Sequence, residues 1–196
     1  LNALAGFLPY SGSLKVNGVE LRNLHPEGWH RMMSWVGQNP QLPAATLREN
    51  VLLGNLEASE QQLQQALDKA WVSEFLPQLP DGIDTVVGEQ AARLSVGQAQ
   101  RVAVARALLA PCRLLLLDEP AASLDAHSEQ RVMQALTEAS TQQTTLMVTH
   151  QLEGITDWDA IWVMENGQII EQGTYQQLVD ANGVFASLLA SRQEEI

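Results

Sequence analysis

Leu114-Leu115-Leu116-Leu117 runs without interruption into Asp118-Glu119-Pro120. An apolar run this short, with no polar alternation, predicts a strand covered on both faces, the pattern of a parallel sheet between layers of helix. Met33-Ser34-Trp35-Val36 and Thr144-Thr145-Leu146-Met147-Val148 read as buried strands of the same kind. Strands alternating with helical patterns make the fold class α/β with a mostly parallel sheet. Asn17-Gly18, between Ser13-Leu14-Lys15-Val16 and Val19-Glu20-Leu21, and Asn166-Gly167, between residues 160–164 and 168–170, supply the positive-φ pairs of tight turns. Both predict antiparallel hairpins.

Leu63, Ala66, Leu67, Ala70 and Trp71 form an apolar stripe at helical spacing, with Gln61, Gln62, Gln64, Gln65 and Asp68 opposite. Further helices are expected over residues 98–110, 128–139, 175–180 and 184–192. Residues 1–8 read as a helix already in progress, with Leu1, Leu4, Ala5 and Leu8 on one face and no cap before it, as in a chain cut from something longer. Residues 50–88 are almost entirely helix and loop. The expected organisation is therefore a sheet domain over residues 1–49 and 111–196, with a helical subdomain inserted over 50–110.

Composition narrows the function. The 196 residues are 45% hydrophobic and 17% charged, an ordinary globular balance. Eleven Lys and Arg against 23 Asp and Glu give a net charge of -12, which disfavours nucleic acid as a partner because phosphate recognition needs a basic face. No apolar stretch is long enough to cross a bilayer, and even residues 102–112 are interrupted by Arg106. A single cysteine, Cys112, excludes an internal disulfide and fits a reducing compartment.

Two carboxylates at the carboxyl end of a buried strand stand where α/β sheets bind ligands. In phosphoryl transfer one such acid helps hold Mg²⁺ and a neighbour orients the attacking water. An exposed strand end is the plainer explanation of Asp118-Glu119 taken alone. Upstream, Leu94-Ser95-Val96-Gly97-Gln98 opens the helix carrying Arg101 and Arg106. A hydroxyl and a glycine there point backbone N–H groups at an anion, although Ser95 and Gln98 also fit a simple capping box.

Together these segments resemble the nucleotide-binding domain of ABC transporters along essentially the whole chain and in the expected order. Residues 94–98 resemble the signature Leu-Ser-Gly-Gly-Gln, residues 114–118 the Walker B strand, Ser123-Leu124-Asp125 the D-loop, His150 the switch histidine and Gln38 the Q-loop glutamine. The resemblance implies an ATPase of the P-loop type using ATP and Mg²⁺. Asp118 and Gln38 would serve the metal, and Glu119 would polarise the attacking water. Gln38 would also contact that water, and His150 would contact the γ-phosphate. Ser95, Val96, Gly97, Gln98 and Asp125 would be nucleotide-binding, with Ser95 and Gly97 acting across a dimer on the opposite domain's ATP.

Residues 46–51 and 79–89 look like the exporter branch, in which this domain is fused behind a transmembrane domain on the same chain. Residues 94–101 and 119–125 are most similar to the heterodimeric bacterial exporters of cysteine and glutathione needed for cytochrome bd assembly. That likeness implies a second, non-identical nucleotide-binding domain as partner and a place on the cytoplasmic face of the bacterial inner membrane.

Two departures from the family pattern stand out. Val96 replaces the first signature glycine, so this chain's catalytic set is expected to be intact while its service to the partner's site is weakened. The Gly-x-x-x-x-Gly-Lys-Ser/Thr phosphate loop is not among the 196 residues. In the family it opens the helix with which this sequence begins, so it would lie just before Leu1, along with the N-terminal strands and the aromatic residue that stacks on adenine. The 196 residues alone are therefore expected to bind ATP poorly.

Two other classes share these motifs. A soluble ABC ATPase of DNA repair or chromosome maintenance would carry a coiled-coil or zinc insertion, and the acidity argues against it. A non-catalytic ABC-like regulatory module would be expected to lack Glu119 or His150. The scattered Trp29, Trp35, Trp71, Trp158 and Trp162 read as core or interface packing, His25, His30 and His127 as surface residues, and Glu153, Asp157 and Asp159 as a solvated acidic loop.

Overall fold

The structure, a computed structural model, describes residues 1–88, 94–152 and 154–193. Its chain divides into two units, Leu1–Thr149 and His150–Ile196. Glu89, the last residue of the exporter-like segment, and Glu153 of the acidic loop lie outside the described residues.

The first unit contains β1 (Lys15–Val16), β2 (Val19–Glu20), α1 (Pro26–Arg31), β3 (Met33–Val36), β4 (Ala45–Thr46), α2 (Leu47–Leu52), α3 (Glu60–Lys69), β5 (Val86–Val87), α4 (Val96–Leu109), β6 (Leu114–Asp118), α5 (Ala126–Ser140) and β7 (Thr144–Val148). Strands β3, β6 and β7 pair in parallel with β6 at the centre, Trp35 opposite Leu116 and Leu116 opposite Leu146. Leu115, Leu116 and Leu117 are fully buried. The flanking strands depart from expectation: most of β3 is only half-buried, and β7 is exposed at both ends. Each is an edge strand of this sheet, so among the described residues only the central strand has a paired strand on both sides.

Helix α4 makes the core because it is apolar almost all round, a pattern that burial on every face requires. Val102, Val104, Ala105 and Ala107 pack with Val51 of α2, Leu63 and Leu67 of α3, Val132 of α5, and Leu115 and Leu117 of β6. Its two arginines end in specific acceptors. Arg101 reaches the Trp71 carbonyl at 3.1 Å and Glu74 at 2.7 Å, with its guanidinium over the Phe75 ring. Arg106 donates to the backbone and side-chain oxygens of Asn50 at 2.8 and 3.1 Å, and burial lowers its pKa. Fully buried Asn50 in turn donates to the carbonyls of Pro43 and Thr46 at 3.1 and 3.0 Å. The crossing is close: a Cβ on Gly54 would lie 2.1 Å from the Arg106 carbonyl oxygen, so only glycine fits.

Among the described residues, the stretch expected to be helix and loop also contains β5, which pairs antiparallel with β4. Residues 1–8 form turns rather than the expected helix. Gly6, at φ +80°, donates to the Ala3 carbonyl and Phe7 to that of Asn2, the paired bonds that close a helical turn at a left-handed glycine. The Asn17-Gly18 turn forms as expected, with φ +49° and +83°.

The second unit holds β8 (Ile161–Glu165), β9 (Gln168–Gly173), α6 (Tyr175–Asp180) and α7 (Val184–Gln193). β8 and β9 form the second Asn-Gly hairpin, with a register shift at Val163/Met164. The Glu171 carboxylate accepts the N–H groups of Val184 and Phe185, anchoring the start of α7, and the Phe185 ring meets Tyr175 edge-on. Trp162 is 55% exposed on β8, in a two-stranded ladder, and does not join the core. No helix among the described residues is long and apolar enough to cross a membrane.

Candidate functional site

Parallel pairing brings the carboxyl ends of β3 and β6 side by side. Val36 lies opposite Leu117, so Gln38 and Asp118 leave the same sheet edge. Asp118 is the last residue of β6 and pairs with Val148. Glu119 follows at φ +48°, a left-handed conformation uncommon for a residue with a side chain, while its N–H donates to the Val148 carbonyl at 2.8 Å. The ladder thus extends one residue beyond the strand as the backbone turns sharply. Such a conformation costs on the order of 1–3 kcal/mol and persists only where the surroundings enforce it. Buried Pro120 and the bonds from Ala122 N–H to Glu119 O and from Leu124 N–H to Ala121 O hold the turn.

The turn leads to Asp125, the N-cap of α5. Its carboxylate accepts the Ser128 backbone N–H at 3.0 Å and the Ser128 hydroxyl at 2.7 Å, and these bonds hold its pKa below the ordinary 3.8. Because folding lowers this pKa, the stability it contributes is complete above the ordinary value and fades as pH falls through the folded-state value. Asp125→Asn keeps a capping oxygen but does not titrate. We expect it to flatten the acid limb of the stability profile, read as thermal midpoint against pH from about 5 down to 2; an unchanged acid slope would contradict this.

At the start of α4 the capping box is present. Ser95 Oγ accepts the Gln98 N–H at 3.1 Å, and Gln98 Oε1 accepts the Ser95 N–H at 2.9 Å. This uses an acceptor lone pair of Ser95 but not its proton, and the residue is exposed. Val96 is 59% exposed at the first helical position. The close approach that demands glycine falls on Gly97, where a Cβ would lie 2.9 Å from the Ser123 carbonyl oxygen. The signature-like turn and the D-loop-like turn therefore touch backbone to backbone.

Gln38 is exposed, and the preceding Gly37 leaves room for the Trp35 indole, whose Nε1 would sit 2.7 Å from a Cβ there. Sequence reasoning missed Gln100, the buried residue of α4 that joins these parts. Its Nε2 donates to the carbonyls of Gly37 and Pro120 at 3.1 and 3.0 Å. The available signal was its spacing, three residues after Gly97 and four before Val104, which puts a carboxamide on the same helix face as both. His150 follows β7 by two residues and opens the second unit. The first unit alone brings together Gln38, Asp118, Glu119 and, through Gly97 and Gln100, the start of α4.

The family model for ABC transporters matches residues 1–122. Over all 196 residues the chain is 75% identical to the glutathione/L-cysteine transport system ATP-binding/permease protein CydD of Escherichia coli, and 50% identical to the protein of the same name from Haemophilus influenzae. It is 63% identical to the transport ATP-binding protein AarD of Providencia stuartii. The chain spans 33% of the length of each of these relatives. A solved bacterial Atm1-family ABC exporter with ATP bound superposes with a TM-score of 0.87 at 31% identity, over 97% of this chain and 34% of that one. Since the matched stretch includes Gln38, the turn into α4 and the acidic end of β6, the α/β fold and the motif order rest on the same residues: the chain belongs to the ABC transporter family.

Proposed function

We propose that this chain is the ATP-binding and ATP-hydrolysing part of an ABC exporter that moves cysteine- or glutathione-type thiols across a bacterial inner membrane. The carrying observation is the edge shared by β3 and β6, where a carboxamide and two adjacent carboxylates stand behind a glycine-tight turn. The identity to relatives named for glutathione/L-cysteine transport supports the substrate class.

Each residue has a role that its chemistry fits. Asp118 and Gln38 offer hard oxygen donors, and no cluster of His, Cys, Asp or Glu able to cage a metal by itself occurs among the described residues. That donor set suits Mg²⁺, which is usually held by one or two protein oxygens together with the phosphates of its nucleotide. When bound there the ion would neutralise charge on the β- and γ-phosphates. Glu119 orients and polarises the attacking water from the residue next to Asp118. His150 contributes a contact to the γ-phosphate. Ser95, Gly97 and Gln98 present a hydroxyl and the N-terminus of α4 to nucleotide on a second domain, with Val96 making that service weaker than glycine would. Asp125 shapes the same surface from the start of α5.

The partner proposed is a second, non-identical nucleotide-binding domain, with a transmembrane domain on the same polypeptide. The shared packing of α2, α3 and α4 supports residues 50–110 as the helical subdomain.

Inverted membrane vesicles containing the full-length protein and its partner test this function. Uptake of labelled glutathione or cysteine is expected with ATP and Mg²⁺ but not with a non-hydrolysable analogue. ATP turnover without thiol uptake would overturn the substrate and leave the ATPase standing, whereas the absence of turnover would overturn both.

A further inference from the structure

Gln100 is 1% exposed, and its carboxamide makes two bonds of nearly equal length to segments far away in sequence. A primary amide has two N–H groups, and here each finds a different carbonyl. One belongs to Gly37, immediately before Gln38; the other belongs to Pro120, immediately after Glu119. A single planar group thereby sets the spacing of the backbone beside the two side chains proposed to meet the attacking water. The Oε1 of the same amide is buried without a partner among the described residues. A methionine would fill similar space without an orphaned oxygen, so packing alone does not account for glutamine at this position.

We propose that Gln100 is a positioning residue for ATP hydrolysis, holding Gln38 and Glu119 in one geometry and tying that geometry to α4. Its place on the helix gives the tie a direction. Ser95 and Gly97 stand at the start of α4, so an event there, such as engagement of a second domain, acts on a rigid element that grips the carboxyl ends of both β3 and β6. The inference rests on the ATPase reading above and goes beyond it by assigning how the two glutamine- and glutamate-bearing turns are held.

The test is steady-state ATP hydrolysis by the full-length protein with its partner, comparing wild type, Gln100→Met, Gln100→Asn, Gln38→Ala and the double variant Gln38→Ala/Gln100→Met. Gln100→Met removes both donors, and Gln100→Asn keeps the amide but is too short to reach both carbonyls, so the second still reports if the first folds poorly. Each is expected to lower kcat by roughly 10- to 100-fold, the scale of a small misplacement of reacting groups, with KM for ATP within about twofold of wild type. In the Gln38→Ala background, Gln100→Met is expected to lower kcat by a smaller factor than it does in the wild-type background, because one of the two residues it positions is already gone. A merely structural role would lower the amount of active protein without this dependence on Gln38. Wild-type kcat in both Gln100 single variants, a loss confined to KM, or fully multiplicative effects would overturn the proposal. An inactive wild type would remove the ATPase reading and this inference with it.

Discussion

Glu119→Gln in the full-length protein is expected to reduce ATP turnover by about 10²–10⁴-fold, the range that a positioned general base contributes. Glutamine keeps the size and shape of the side chain and loses its basicity. The backbone at residue 119 is held by its left-handed φ, the bond from its N–H to Val148 and the bond from Ala122 to its carbonyl. These backbone bonds do not involve the carboxylate, and the loss is expected to fall on the chemical step. ATP binding is expected to remain near the wild-type level, and the ATP-bound pair of domains should accumulate because hydrolysis no longer separates them. Turnover at the wild-type rate would remove Glu119 from the reaction. A parallel loss of ATP binding would show instead that its charge organises the site before chemistry begins.

The residues legible in sequence were those whose signal is local. β6 announces itself because four leucines in a row cannot alternate, and the hairpins because Asn-Gly supplies two positive-φ positions in succession. Ser95 and Gln98 are three residues apart, so the capping box could be read directly. What escaped is held by partners distant in the chain. Gln100 bonds to a carbonyl 63 residues away. β4 and β5 are two-residue strands about forty residues apart, too short to carry a periodicity of their own. Asn50 looks like an ordinary polar helix residue until α4 brings Arg106 against it. The left-handed Glu119 is invisible for a similar reason, since no glycine marks it and part of what enforces it is a bond to the neighbouring strand. The helix expected over residues 1–8 from its apolar spacing does not form because Gly6 closes the turn.

Leu117→Ala is expected to be strongly damaging to stability. Leu117 is fully buried, opposite Val36 on one side and Met147 on the other, and it packs in the same core as Val102 and Val104 of α4. Truncating a leucine in such a place costs about 2–5 kcal/mol, the transfer energy of the lost Cγ and its two methyl groups plus the cavity left behind. For a chain of this size that corresponds to a fall of roughly 5–15 °C in thermal midpoint. Leu114 provides the contrast within the same strand, because it is only half-buried at the start of β6. Leu114→Ala is expected to shift the midpoint by less than half as much. The two positions also separate stability from function, since Leu117 directly precedes Asp118 and Leu114 stands at the opposite end of the strand. A cavity beneath Asp118 loosens the strand end that Gln100 and Val148 hold, so Leu117→Ala should lower turnover even at temperatures where the protein remains folded. Equal shifts for the two variants would mean that the core is not centred on the carboxyl half of β6, and that the acidic strand end is held by its backbone bonds alone.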